Sequence, residues 1–290
     1  MMTSSLPDLD TAEQRYITQA LEDMMVRKNL RGMKLMQPHL KPGYFQRAAE
    51  LIYRSRGTIL IGTGFPVVGT FETDGPVGAI ALYHTLDDLG AKPILVCGTP
   101  LSRALGSDFR LHEITVGDIS QGRPEALAAL QHYQPDLVIS IERPGLSAQD
   151  RYFNMRGEDI SARCACFDYF LREASCPTLA IGDGGNEIGM GNLQQALQAL
   201  DIVPSVTTCD ELLVADVSNW GAYGLIALLG LWHGDDLLAR INTLEILQYT
   251  SQRGSVDGVT RLNTLTEDSL DAGDGQQLID DLRRLTGFLP

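Results

Sequence analysis

Four short apolar runs in this chain each end abruptly in small and charged residues. Residues 58–61 lead into Gly62-Thr-Gly-Phe-Pro66 and Glu72-Thr-Asp-Gly-Pro76, and 137–141 into Glu142-Arg-Pro-Gly145. Residues 178–181 open into Gly182-Asp-Gly-Gly-Asn-Glu-Ile-Gly-Met-Gly191, and 212–215 into Asp216-Val-Ser-Asn-Trp-Gly221. Helical patterns separate these runs, a rhythm that calls for parallel strands joined by right-handed crossovers. The expected fold is therefore α/β, a three-layer, mostly parallel sheet with helices on both faces. Loops at the carboxyl ends of such strands converge on one crevice, so the site is expected there.

Further strands are expected at 93–96 and 111–116, with helices at 76–89, 124–132, 160–174, 192–199, 222–232 and 276–285. Residues 1–290 read as a single α/β catalytic domain, with 1–56 as an N-terminal helical extension packed on it. A hydrophobic content of 44% over 290 residues buries a core without disulfide staples. No apolar run approaches the ~18 residues that a membrane-crossing helix needs. A net charge of −14 argues against nucleic acid and means that an anionic substrate must be drawn by local cations. The five cysteines (97, 164, 166, 176 and 209) lack a regular framework and read as reduced thiols, with Cys164 and Cys166 on the helix expected at 160–174. Asp8, Asp10 and Glu13 leave no apolar segment for a targeting signal, so a cytoplasmic location is expected, with homo-oligomers allowed.

Gly62-Thr-Gly64 follows a strand but is not a dinucleotide fingerprint. Val67 stands where a third glycine should, and Val96-Cys-Gly-Thr-Pro100 lacks the acidic residue due after the next strand. No nucleotide is expected. Pro76 suits the first position of a helix, and Asp74 or Thr73 suits its cap. That leaves Glu72, which beside Asp74 forms the kind of close carboxylate pair that shares a proton or a hard cation. Arg143, next to Glu142, offers a planar fork for a substrate carboxylate. The 182–191 loop has five glycines in ten residues, interleaved with Asp183, Asn186 and Glu187, so its backbone can approach a ligand closely. Ser218, Asn219 and Asp257 are weaker candidates. His84 shares a helical stripe with Val77, Ile80 and Ala81 and is expected in the core; the other histidines are scattered, which argues against zinc. Neither a nucleophile elbow nor a P-loop is present.

Taken in order, Thr63-Gly-Phe-Pro66, Glu72-Thr-Asp-Gly-Pro76, Ser140-Ile-Glu-Arg-Pro-Gly145, the 182–191 loop, Val217-Ser-Asn-Trp-Gly221 and Val256-Asp-Gly-Val-Thr260 resemble the D-glutamate cyclase family. The resemblance is to the domain that forms the C-terminal half of the mammalian enzyme and stands alone in many bacterial proteins. It implies a carbon–oxygen lyase that interconverts D-glutamate and 5-oxo-D-proline plus water. That chemistry needs a base, an acid or cation, and a clamp. By residue type, Asp183, Glu187 and Glu72 are the acid–base candidates. Arg143 is the clamp, with Glu142, Asn186, Ser218, Asn219, Gly184 and Gly185 around the substrate. Asp74, Glu72 and Asp183 are the candidate ligands of a divalent cation, Mg²⁺ or Mn²⁺. The partner is a small acidic amino acid. Two other readings use the same residues: metal-assisted hydrolysis of a small amino- or oxo-acid amide, and non-catalytic binding of an acidic metabolite.

Overall fold

The computed structural model describes residues 6–290; the first five residues of the expected N-terminal extension lie outside the described ones. Six strands form one parallel sheet: β1 (Thr58–Thr63), β2 (Lys92–Cys97), β3 (Leu111–Glu113), β4 (Leu137–Ile141), β5 (Thr178–Gly182) and β6 (Glu211–Val214). Their order is β3-β2-β1-β4-β5-β6. The order reverses between β1 and β4, so the connections leave that pair in opposite directions and open a crevice beyond their carboxyl ends.

Alternation along the strands divides the apolar side chains between two faces. Ile59, Ile61, Leu95, Ile139 and Leu213 meet helices α1 (Ala12–Met25), α2 (Tyr44–Arg54), α3 (Pro76–Asp88) and α6 (Ser218–His233). Leu60, Ile94, Val96 and Val138 meet α4 (Ile119–Tyr133) and the short α5 (Asp168–Arg172). Helix α6 is buried around nearly its whole circumference, which is why its sequence is apolar on every side. Two more helices, α7 (Thr243–Ser251) and α8 (Ala272–Leu285), close the chain. The N-terminal helices are no loose appendage. Leu21, Met25, Met33 and Phe45 are fully buried in the same core as β1, and each such side chain contributes roughly 1.5–3 kcal/mol.

Several local expectations fail, the largest of them to tertiary hydrogen bonds. The helix expected at 160–174 is only a 3₁₀ turn (Ser161–Arg163), an irregular stretch and α5. Val116 bridges Ala165, and Gly117 N–H donates to the Cys164 carbonyl at 2.8 Å, so the backbone around 164–165 pairs with another segment. Cys164 and Cys166 are buried there as free thiols, off any helix. The helix expected at 192–199 breaks into two 3₁₀ turns, and β3 ends at Glu113. His84 is exposed, edge-on to Tyr83 and beside Phe109. Helix α7 and two small antiparallel hairpins, at 66–71 and 266–271, carry no pattern that the sequence reading registers.

Candidate functional site

The crevice holds a cavity of about 210 Å³. Its interior is lined by Glu72, Glu142, Asp183, Glu187, Asn186, Asp268 and Arg31. The volume suits an amino-acid-sized metabolite, since drug-sized ligands fill ~300–1,000 Å³.

Each carboxylate is placed by its own segment. Glu72 follows the 66–71 hairpin and pairs as a lone parallel bridge with Val256. Thr73 N–H donates to the Val256 carbonyl at 2.9 Å and its hydroxyl to the Thr266 carbonyl at 2.8 Å. Among the described residues, no hydrogen bond reaches the carboxylate oxygens of Glu72. Asp74 Oδ1 accepts from Gly75 N–H at 2.8 Å at the start of its own helix, and the carboxylate also reaches the next: its Oδ2 accepts from Ser218 N–H and its Oδ1 from Asn219 N–H, both at 2.8 Å, at the start of α6. Asn219 returns the bond. Its Oδ1 accepts from Gly75 N–H at 2.8 Å and Gly78 N–H at 2.6 Å, at the start of α3. The two helix starts therefore cap each other. Gly78 is required by this closeness, because a Cβ there would stand 2.7 Å from Asn219 Cα. Asn219 Nδ2 is spent on Thr73 O and on Glu267 Oε1 at 2.7 Å, so all of its capacity goes to the scaffold. Ser218 donates through its hydroxyl to Glu142 Oε2 at 2.6 Å.

The 182–191 loop is knitted to the loop after β4. Ile188 N–H donates to the Arg143 carbonyl and Gly145 N–H to the Asn186 carbonyl, both at 2.9 Å. Gly184 and Gly185 direct their N–H groups onto Glu187, at 2.8 and 2.6 Å, and thereby fix that carboxylate rather than meet a ligand. Asn186 Nδ2 donates to the Phe153 carbonyl at 2.8 Å, while its Oδ1 is buried without a partner. Asp257 lies outside the cavity lining. It accepts from Val259, Thr260 and Ser269 N–H groups and the Thr266 hydroxyl, which fixes the 257–269 segment.

Arg143 does not face the cavity. Its guanidinium is buried and donates to the carbonyl oxygens of Thr63, Gly64 and Ala165, holding the end of β1 against the 164–165 stretch. The cation inside the cavity is Arg31, which residue patterns did not single out. It forms ion pairs with Asp183 and with Asp268, the latter at 2.6 Å, and donates to the Asp216 carbonyl at 3.0 Å. Asp216 also positions the segment, accepting from Lys28 N–H at 2.7 Å and Leu30 N–H at 3.3 Å. Asp268, likewise missed, sits in a turn with φ of 50°.

Carboxylate oxygens of Asp74, Glu142 and Asp183 lie within 4.8 Å of one another. Glu142, foreseen as a substrate contact, thus joins this trio, whereas Glu72 stands outside it. Burial pushes the carboxyls of Glu72, Asp74 and Glu142 above their ordinary range, and neighbouring carboxylates add to the effect. Burial likewise raises Asp183 against the pull of Arg31, and raises Glu187 against the N–H groups of its own loop. So many negative charges cannot coexist around one guanidinium. The site must carry protons, a bound cation, or both.

Fold and site together define an α/β protein with a buried, oxygen-rich cavity at the carboxyl edge of its sheet. The chain belongs to the D-glutamate cyclase-like family, whose C-terminal domain model matches residues 21–283. It is similar to the human mitochondrial D-glutamate cyclase, at 30% identity over 62% of this chain; the match spans 34% of that relative's length. A crystal structure of an exopolyphosphatase-related protein from Bacteroides fragilis overlaps 85% of this chain and 61% of its own, with 10% identity and a TM-score of 0.39, too loose to bear on the site. No helix among the described residues is long and apolar enough to cross a membrane.

Proposed function

We propose that this chain interconverts D-glutamate and 5-oxo-D-proline plus water. The observation that supports the reading most directly, beside family membership, is Glu72: a buried carboxyl, raised above its ordinary range, facing the cavity without a hydrogen-bond partner. A carboxyl that holds its proton more firmly than usual and whose oxygens are otherwise unengaged is suited to proton transfer.

Ring closure joins the amine nitrogen to the carbon of the γ-carboxyl and breaks one of that same carbon's bonds to oxygen. The amine gives up a proton to a base, and the departing oxygen leaves as water after taking up a proton. Glu72 is placed to exchange protons with the substrate, and Glu187, held by its loop, is the second acid–base group. Asp183 is anchored by Arg31, which offsets part of the negative charge of the interior. A positioned acid or base contributes ~10²–10⁴-fold. The all-oxygen trio Asp74, Glu142 and Asp183 fits Mg²⁺ or Mn²⁺. When bound, such an ion would polarise the carboxyl oxygen.

The test is incubation with D-glutamate or 5-oxo-D-proline and chiral chromatography of the products, with Mg²⁺, with Mn²⁺, and after chelation. Conversion between the two compounds is expected. Binding of either without turnover would leave a metabolite-binding protein in place of the lyase.

A further inference from the structure

The cavity has a second pole. Its mouth is formed by two loops, one bringing Asn154, Met155 and Arg156 and the other Gly258, Val259 and Arg261. The Arg156 side chain has no hydrogen bond or ion pair among the described residues. Arg261 has one loose contact, 3.7 Å to Glu158, with both side chains substantially exposed. Both loops are pinned from within. Asn154 Oδ1 accepts from Arg156 and Glu158 N–H groups at 3.0 Å, and Asp257 Oδ1 from Val259 N–H at 3.0 Å and Thr260 N–H at 2.8 Å. The backbones that carry the two arginines are therefore held at the rim, over an acidic floor whose one guanidinium is already paired.

We propose that Arg156 and Arg261 hold the α-carboxylate, the group common to D-glutamate and 5-oxo-D-proline, so that the substrate enters with its γ-carboxyl leading. This assignment rests on the cyclase reading above and extends it to substrate orientation. The α-carboxylate stays ionised throughout, and among the acids of the floor it would be repelled and stripped of water. At the rim it meets cations with unspent donors in a chain of net charge −14. The γ-carboxyl has the opposite need. It must become neutral or be polarised to react, and the acid–base carboxyls of the reading above line that end of the cavity. Rim above and floor below thus distinguish two carboxyls of one small molecule.

The experiment compares D-glutamate with its α-amide as substrates for the intact chain and for Arg156→Gln, Arg261→Gln and the double variant. Both residues are exposed, so folding should survive, which circular dichroism verifies. The intact chain should favour D-glutamate. Each single variant should raise KM for D-glutamate by about tenfold, the worth of one charge-assisted contact. The double variant should lose the preference for the carboxylate, with KM for D-glutamate rising to that for the amide. Retained preference in the double variant, or none in the intact chain, would overturn the assignment and leave the cyclase reading standing. If the intact chain neither converts D-glutamate nor binds it by calorimetry, the cyclase reading fails and the orientation with it.

Discussion

Glu72 and Arg31 carry opposite risks for the fold. Glu72 is a buried acid whose charge has only the nearby Arg31 to offset burial and the neighbouring carboxylates, so its proton affinity is raised. Replacing it by glutamine removes the charge at constant shape. Turnover should fall by ~10²-fold or more, while thermal unfolding shifts upward by the equivalent of about 0.5–2 kcal/mol. Calorimetry with steady-state kinetics checks both, and retained turnover with a lower unfolding temperature would make Glu72 a scaffold residue. Arg31→Met does the reverse and leaves Asp183 and Asp268 unpaired. Unfolding in urea at neutral pH should show a loss of about 3–5 kcal/mol, shrinking in mild acid as Asp183 takes up a proton. At this scale the sequence was an uneven guide. Glu72, Asp183 and Glu187 stood out because strand-end loops rarely collect carboxylates without using them. Arg143 was misleading, because residue type does not tell whether a guanidinium faces a ligand or three backbone carbonyls. Arg31 was invisible, since its partners are 152 and 237 residues away and no local pattern marks it.

Between elements, the reciprocal caps of α3 and α6 matter most. Asp74 binds the first amides of α6, and Asn219 binds the first amides of α3. Losing one cap costs about 0.5–2 kcal/mol, and each buried group left unpaired a further ~1–3. Asn219→Ala should therefore destabilise by at least about 3 kcal/mol. Hydrogen exchange should show the amides of Gly75 and Gly78 opening together with the first turn of α6. Protection lost at only one helix start would mean that the caps act separately. The elements themselves were legible where hydrophobic rhythm is strong, in all six strands and in α6. They were illegible where tertiary bonds overrule local preference, as at 164–165, whose backbone pairs with Val116 and Gly117.

For the molecule as a whole, the raised carboxyls set the pH dependence. Glu22 accepts from Gly43 and Phe45 N–H groups, yet burial still raises it from 4.5 to about 7, and burial raises Glu267 to about 7 as well. A carboxyl with a folded value above its unfolded one binds more protons in the native state. Its contribution is complete below the unfolded value and is lost as pH rises through the folded one. At about 1.4 kcal/mol per tenfold change in proton affinity, Glu267 alone ties on the order of 3 kcal/mol to this window. Asp257 and Asp281 run the other way. Burial opposes their ionisation, but hydrogen bonds outweigh it and hold both below the ordinary range, so their contribution is lost only in stronger acid. Stability should peak near about pH 5 and decline toward pH 8. Urea midpoints across that range check this, and a peak at the alkaline end would refute it. The parallel sheet and its site edge were readable from periodicity alone, whereas the balance of buried charge was not, because it belongs to the assembled cavity.

Asp216 holds the segment bearing Arg31, and Asp268 completes that arginine's ion pairs 237 residues later in the chain. Translation therefore makes the cation first and this counter-ion long after it. Until residue 268 leaves the ribosome, the early helices have only part of the charge they are shaped to receive, and α6 can dock before the cavity exists. Ligand affinity should accordingly arise late and in one step on a growing chain, well after the sheet is in place.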